Sequence, residues 1–144
     1  MSASSTRRLA IGVAALFTLA CSSGDTIVAV PATVDGVYAL STVNGMALPA
    51  TLIDTIDGVQ SRVTFMSPTT FTLKADKTYR VILTLRFVIG STTETLTDSS
   101  AGTYSLTGQQ LSFSESGAPV FTGTWNGSNV LTIAQEGNVF VFKK

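Results

Sequence analysis

From residue 36 to the end of the chain, short runs of alternating apolar and polar residues are separated by turns rich in glycine and asparagine. The clearest run is "TYRVILTLRFVI" (residues 78–89). Tyr79, Val81, Leu83, Leu85, Phe87 and Ile89 fall on one face, and Arg80, Thr84 and Arg86 on the other. A period of two is the signature of a strand with one buried face. The same alternation pairs Tyr38 with Leu40, Val63 with Phe65, and Phe71 with Leu73. It directs Tyr104, Leu106, Leu111 and Phe113 inward across a hairpin at residues 107–110, and sets Phe121 and Trp125 on one side of a run that has Gly123 between them. "VLTI" and "VFVF" close the chain. The turn signals Asn44-Gly45, Asp57-Gly58, Gly90-Ser91, Thr107-Gly108, Ser116-Gly117, Asn126-Gly127 and Gly137-Asn138 recur mostly about every ten residues, the rhythm of a β-sandwich or β-barrel.

Helical periodicity is absent from this part. "ALPATLIDTIDG" (residues 47–58) comes nearest, and its Pro49 and β-branched residues limit it to one short turn. The chain is therefore predicted to be all-β, with about eight to ten short antiparallel strands. Local hairpins favour an up-and-down barrel, because neighbours in sequence tend to pair. A β-sandwich is the alternative, but barrel closure removes exposed edges and is the simpler solution at this size. Gly-x-aromatic recurs at Gly36-Val37-Tyr38, Gly102-Thr103-Tyr104 and Gly123-Thr124-Trp125 at unequal intervals. It reads as strand-entry chemistry, in which a glycine ends a turn and an aromatic then packs inward.

Composition sharpens this picture. Of the 144 residues, only 12% are charged, about half the usual share, while 44% are hydrophobic. One domain with a single core fits this length. Formal charge is zero, and no basic patch exists to neutralise phosphates, which argues against a nucleic-acid partner.

The first residues follow different rules. A polar start ending in Arg7 and Arg8 leads into "LAIGVAALFTLA" (residues 9–20), which carries no charge. Such a run is shorter than the ~20 residues a membrane-spanning helix requires. A positive start, a short apolar run and small residues behind it make a secretory signal. Cys21, the only cysteine, follows at once. The sequence Thr18, Leu19, Ala20, Cys21 resembles the lipobox of bacterial lipoproteins, in which the leader is cut between residues matching Ala20 and Cys21 and the cysteine is lipidated. Acylation also removes a thiol that would be a liability in an oxidising compartment. Ser22, in place of an aspartate after the cysteine, resembles a signal for the outer membrane. The resemblance implies a signal peptide over residues 1–20 and a lipidated Cys21 in a flexible spacer over residues 21–35. A barrel domain over residues 36–144 would then be held to the bacterial cell envelope, facing the periplasm or the exterior.

The domain itself resembles the small bacterial lipocalin-like domains. The correspondence runs through Gly36-Val37-Tyr38, Phe71 to Leu73, Asp76-Lys77-Thr78-Tyr79, "GTYSLTGQQLSF" (residues 102–113) and "VFVFKK" (residues 139–144). Tyr38 stands where that family has tryptophan, and Lys77 where it has glycine. The resemblance implies a small β-barrel with an interior that holds a small apolar ligand.

Chemistry-bearing residues are scarce. The chain has no histidine, so histidine-based triads, dyads and zinc sites are excluded, and a lone cysteine cannot build a thiolate cluster. No phosphate-binding glycine loop or nucleophile elbow is present. Asp54 and Asp57 flank a turn glycine, where aspartates serve backbone hydrogen bonding. Arg80 and Arg86 read as solvated charges on an outer strand face. The runs are too short and their second faces too rich in Thr and Ser for a membrane-spanning barrel. No enzymatic activity and no cofactor are expected. Phe65, Phe71, Phe87, Phe113 and Trp125 are the candidates for lining a ligand cavity in the barrel interior. The competing expectation is a packed barrel without a ligand, which contacts another envelope protein through exposed apolar side chains.

Overall fold

A computed structural model describes residues 32–144. Asp57 and the side chains of Asp54 and Ile56 lie outside the description, as do residues 1–31, so the leader, the cleavage site and Cys21 are outside the described residues. The described part is all-β, with no helix among its elements. Ten strands follow in order: β1 Gly36–Val43, β2 Met46–Ala47, β3 Ala50–Ile56, β4 Val59–Leu73, β5 Thr78–Ile89, β6 Thr92–Thr107, β7 Gln110–Ser114, β8 Phe121–Trp125, β9 Val130–Gln135 and β10 Asn138–Lys143. Strands β4 to β10 pair with their sequence neighbours, β10 pairs with β1, and β1 pairs with β4. The result is a closed, antiparallel, eight-stranded up-and-down barrel to which β2 and β3 are added.

The seam between β1 and β4 splits part-way along its length. Gly36–Ala39 of β1 pair with Leu73–Thr70 of β4, whereas Thr42 and Val43 pair with β2. The first half of β4 turns instead to β3, with Ala50 opposite Phe65 and Leu52 opposite Val63. A register shift against β5 lies between Met66 and Thr70, where β4 changes neighbour. Bulges bend a strand and increase its twist, and this one carries β4 away from β1. The barrel is thus closed at the end holding residues 36, 74–77, 107–110 and 126–129, and flared at the end holding the turns at 44–45, 90–91 and 136–137.

Three expectations need correction. The segment "ALPATLIDTIDG" forms strands β2 and β3 rather than a helical turn, because Thr51, Ile53 and Thr55 suit a paired edge and β4 offers one. The strands are not uniformly short: β4, β5 and β6 have 15, 12 and 16 residues. Phe71 and Phe65 lie on one continuous strand, and β6 begins ten residues before Gly102. Finally, Gly102 and Gly123 do not end turns; both lie inside strands, where neighbours approach closely. A Cβ on Gly102 would collide with the Ser114 carbonyl and sit 2.9 Å from Tyr79 Cε1.

The closed half is packed. Tyr38, Leu111, Phe113 and Leu131 are fully buried. Phe71 stacks on Tyr79, and Phe113 stacks on Phe121 with ring centroids 4.8 Å apart. Hydroxyl and indole groups at the rim of this core tie down the loops. Tyr38 Oη donates to the Val34 carbonyl (2.7 Å), Tyr104 Oη to the Lys74 carbonyl (2.7 Å) and Trp125 Nε1 to the Ser128 carbonyl (3.2 Å). Val34, placed in the spacer by sequence, is buried in this core. Lys144 Nζ lies over the Tyr38 ring and donates to the Thr33 carbonyl, so the last residue clasps the segment that enters the barrel.

Candidate ligand cavity

The flared end encloses a cavity of about 1040 Å³. Its walls come from the inward positions of the strands. Leu52 lies on β3, Val63, Phe65 and Phe71 on β4, Val81, Leu83 and Leu85 on β5, Phe121 on β8, Ile133 on β9, and Phe140 and Phe142 on β10. Alternation explains the selection, because each wall residue is two or a multiple of two from the next on its strand, save on β3, where the exposed Ile53 borders the cavity beside Leu52. Register then stacks the rows, with Ala50, Phe65 and Leu85 abreast, and Leu52, Val63 and Phe87 abreast.

Polar groups gather at the rim: Asn44, Ser100, Glu115, Gln135, Glu136 and Asn138. Asn44 fastens the β1–β2 turn to the β9–β10 hairpin. Its Nδ2 donates to Asn138 Oδ1 (2.9 Å), and its Oδ1 accepts the Val139 N–H (2.8 Å). Its own N–H donates to the Val139 carbonyl at 2.8 Å. Asn44 adopts φ 50°, a left-handed conformation that asparagine tolerates well. Residues 118–120, between β7 and β8, form the opposite lip. Among the described residues, Glu115 and Glu136 are the charged side chains of the wall, and no lysine or arginine lines it.

Beneath the cavity, the Tyr79 hydroxyl is buried and lacks a hydrogen-bond partner among the described residues. Its ring stacks on Phe71 and meets Phe121 edge-on, and both of those rings line the cavity. Burial pushes the Tyr79 phenol above its ordinary range, and the nearby Glu115 carboxylate adds to this.

The five aromatics singled out from sequence do not share one environment. Phe65 and Phe71 line the cavity. Phe113 and Trp125 are buried in the packed closed half and are not part of its wall. Phe87 is half-buried on β5, abreast of Leu52 and Val63, and is not part of the wall. Their hydrophobic partners Leu83, Leu85 and Phe121 were visible in the alternation, but Ile133, Phe140, Phe142 and the 118–120 lip were not marked as cavity residues. Nothing in an alternating strand separates a position facing a filled interior from one facing an empty one. Arg80 and Arg86 are exposed, as expected for an outer face.

No family model, curated protein or solved structure matches the chain.

Proposed function

We propose that this is a lipid-anchored protein of the bacterial cell envelope whose lipocalin-like barrel binds a small apolar molecule in its open end. The cavity carries this reading. Its size lies at the top of the range of small-molecule sites, about 300–1,000 Å³, and an apolar wall with polar groups at the rim is a usual composition of such sites. It favours binding over the packed-barrel alternative, which predicts no such space. The closed eight-stranded up-and-down topology is consistent with a lipocalin-like fold. The anchor rests on sequence, on Thr18, Leu19, Ala20 and Cys21 behind an apolar leader. Several acyl chains, at ~0.8 kcal/mol per buried methylene, would hold the protein firmly to a membrane.

Native mass spectrometry of the protein purified from its own envelope tests the binding reading. A retained small molecule is the expected result, and a bare mass that no apolar probe can shift would overturn it. Metabolic labelling with palmitate tests the anchor separately: the label should attach to the wild type and vanish in Cys21→Ser, which should also leave the membrane fraction.

A further inference from the structure

Charge is sorted along the barrel. Lys74 and Lys77 lie in the β4–β5 turn and Lys143 and Lys144 at the end of β10, all at the closed end, where the carboxylates of Asp35 and Asp76 offset them in part. Two of them are occupied there: Lys77 Nζ lies over the Tyr104 ring and Lys144 Nζ over the Tyr38 ring, each 5.3 Å from the centroid. The open end has the opposite character. Glu115 and Glu136 line the cavity. Two more carboxylates share the cavity-facing side of the β5–β6 sheet, since Glu94 is directly opposite Phe87 and Asp98 directly opposite Leu83, and opposed residues project to one face. The cations of this end, Arg62 and Arg86, alternate with the inward Val63, Leu85 and Phe87 and therefore lie on the outer face. Arg62 borders a separate small recess with Gln60, Val88 and Gly90.

A ligand entering this cavity buries its apolar part against Val63, Phe65, Leu83, Leu85 and Phe140 and leaves its head at the rim. The rim amides are partly committed, because both polar atoms of Asn44 are held by Asn138 and Val139. The charged chemistry at the head position is carboxylate, beside the uncharged Ser100 and Gln135. This inference rests on the binding reading and names the ligand class. We propose that the cavity takes an amphiphile with a cationic head, a protonated amine or quaternary ammonium on an alkyl chain, held at Glu115 and Glu136, and disfavours the corresponding fatty carboxylate.

The size of the preference follows from electrostatics. At an effective dielectric constant between those of protein surface and water, a unit charge about 6 Å from a carboxylate changes affinity roughly tenfold. The full chain, purified without detergent, is first titrated with Nile red, a neutral apolar dye. Dodecyltrimethylammonium and dodecanoate, both below their micelle concentrations, then displace it at low ionic strength. Dodecyltrimethylammonium is expected to bind at least about tenfold tighter than dodecanoate. The ratio should shrink as salt is raised, and in the E115Q/E136Q variant it should shrink at low salt when both amphiphiles are compared within that variant against its own Nile red affinity. Dodecanoate binding as tightly as the ammonium ion, or a ratio indifferent to salt, would overturn the head-group inference while Nile red binding left the pocket reading standing. Failure of Nile red and both amphiphiles to bind would overturn the two readings together.

Discussion

The hydroxyl of Thr69 replaces main chain opposite Thr84. It accepts the Thr84 N–H at 3.0 Å and donates to the Met66 carbonyl at 2.8 Å, while the Thr84 hydroxyl donates to the Pro68 carbonyl at 2.7 Å. Between Met66 and Thr70 the β4–β5 ladder loses its register, and Thr69, 2% exposed, satisfies the N–H that the bulge would otherwise strand. Thr69→Val keeps the shape and removes the acceptor. It should destabilise the protein by about 1–3 kcal/mol, the cost of an unsatisfied buried donor, while Thr69→Ser should recover most of the loss. Urea unfolding of the three proteins measures this; a valine variant as stable as wild type would refute the role.

Gly102 and Tyr79 face each other across β5 and β6, and the ring occupies the space that a side chain at 102 would need. Gly102→Ala should therefore cost about 1–3 kcal/mol, the range for overpacking a well-filled site, because the Ser114 backbone cannot yield as a flexible side chain can. Equilibrium unfolding would detect it, and a smaller loss would mean that β7 shifts freely.

The contrast between the filled and the open half is itself measurable. Leu111 is fully buried among the core aromatics, whereas Leu85 lines the cavity. Leu111→Phe should cost about 1–3 kcal/mol, since the added atoms have no space. Leu85→Phe should fall within about 0.5 kcal/mol of wild type and weaken binding of an apolar dye. Equal destabilisation by both would show that the open end is packed in solution.

Alkaline pH should unfold the protein through its tyrosines. Burial raises the phenols of Tyr38, Tyr79 and Tyr104 above their ordinary value of 10.0. In the unfolded chain they ionise near that value, so the unfolded state binds fewer protons above it and stability falls as pH rises. Below it both states hold their protons, and these groups contribute no slope. The expected profile has no contribution from them at neutral pH and declines above about pH 10, with phenolate absorbance rising together with loss of structure. Ionisation of all three phenols in the still-folded protein near the ordinary value would contradict this.

How legible the fold was depended on burial. On β5 the alternation from Tyr79 to Leu85 marks the inward face because one side meets the core and the other meets water. The first half of β6 gave no such signal. From Thr92 to Ser99 both faces are exposed, and the segment is a strand because β5 holds it residue by residue from Thr92↔Ile89 onward. A strand maintained by pairing alone leaves little imprint on hydrophobic pattern. The same holds for β3, whose Thr51, Ile53 and Thr55 pair with β4 at an edge.

The sequence by itself determined an all-β chain of local antiparallel pairings with its aromatics turned inward, because period, turn residues and composition act over a few residues at a time. Only the tertiary structure decided which inward residues meet a partner. Phe113 packs against Phe71 and Phe121, whereas Leu85 faces open space. That difference arises where β4 leaves β1 for β3 and the far wall moves away. The separation of walls is a property of the closed ring and is written in no single strand.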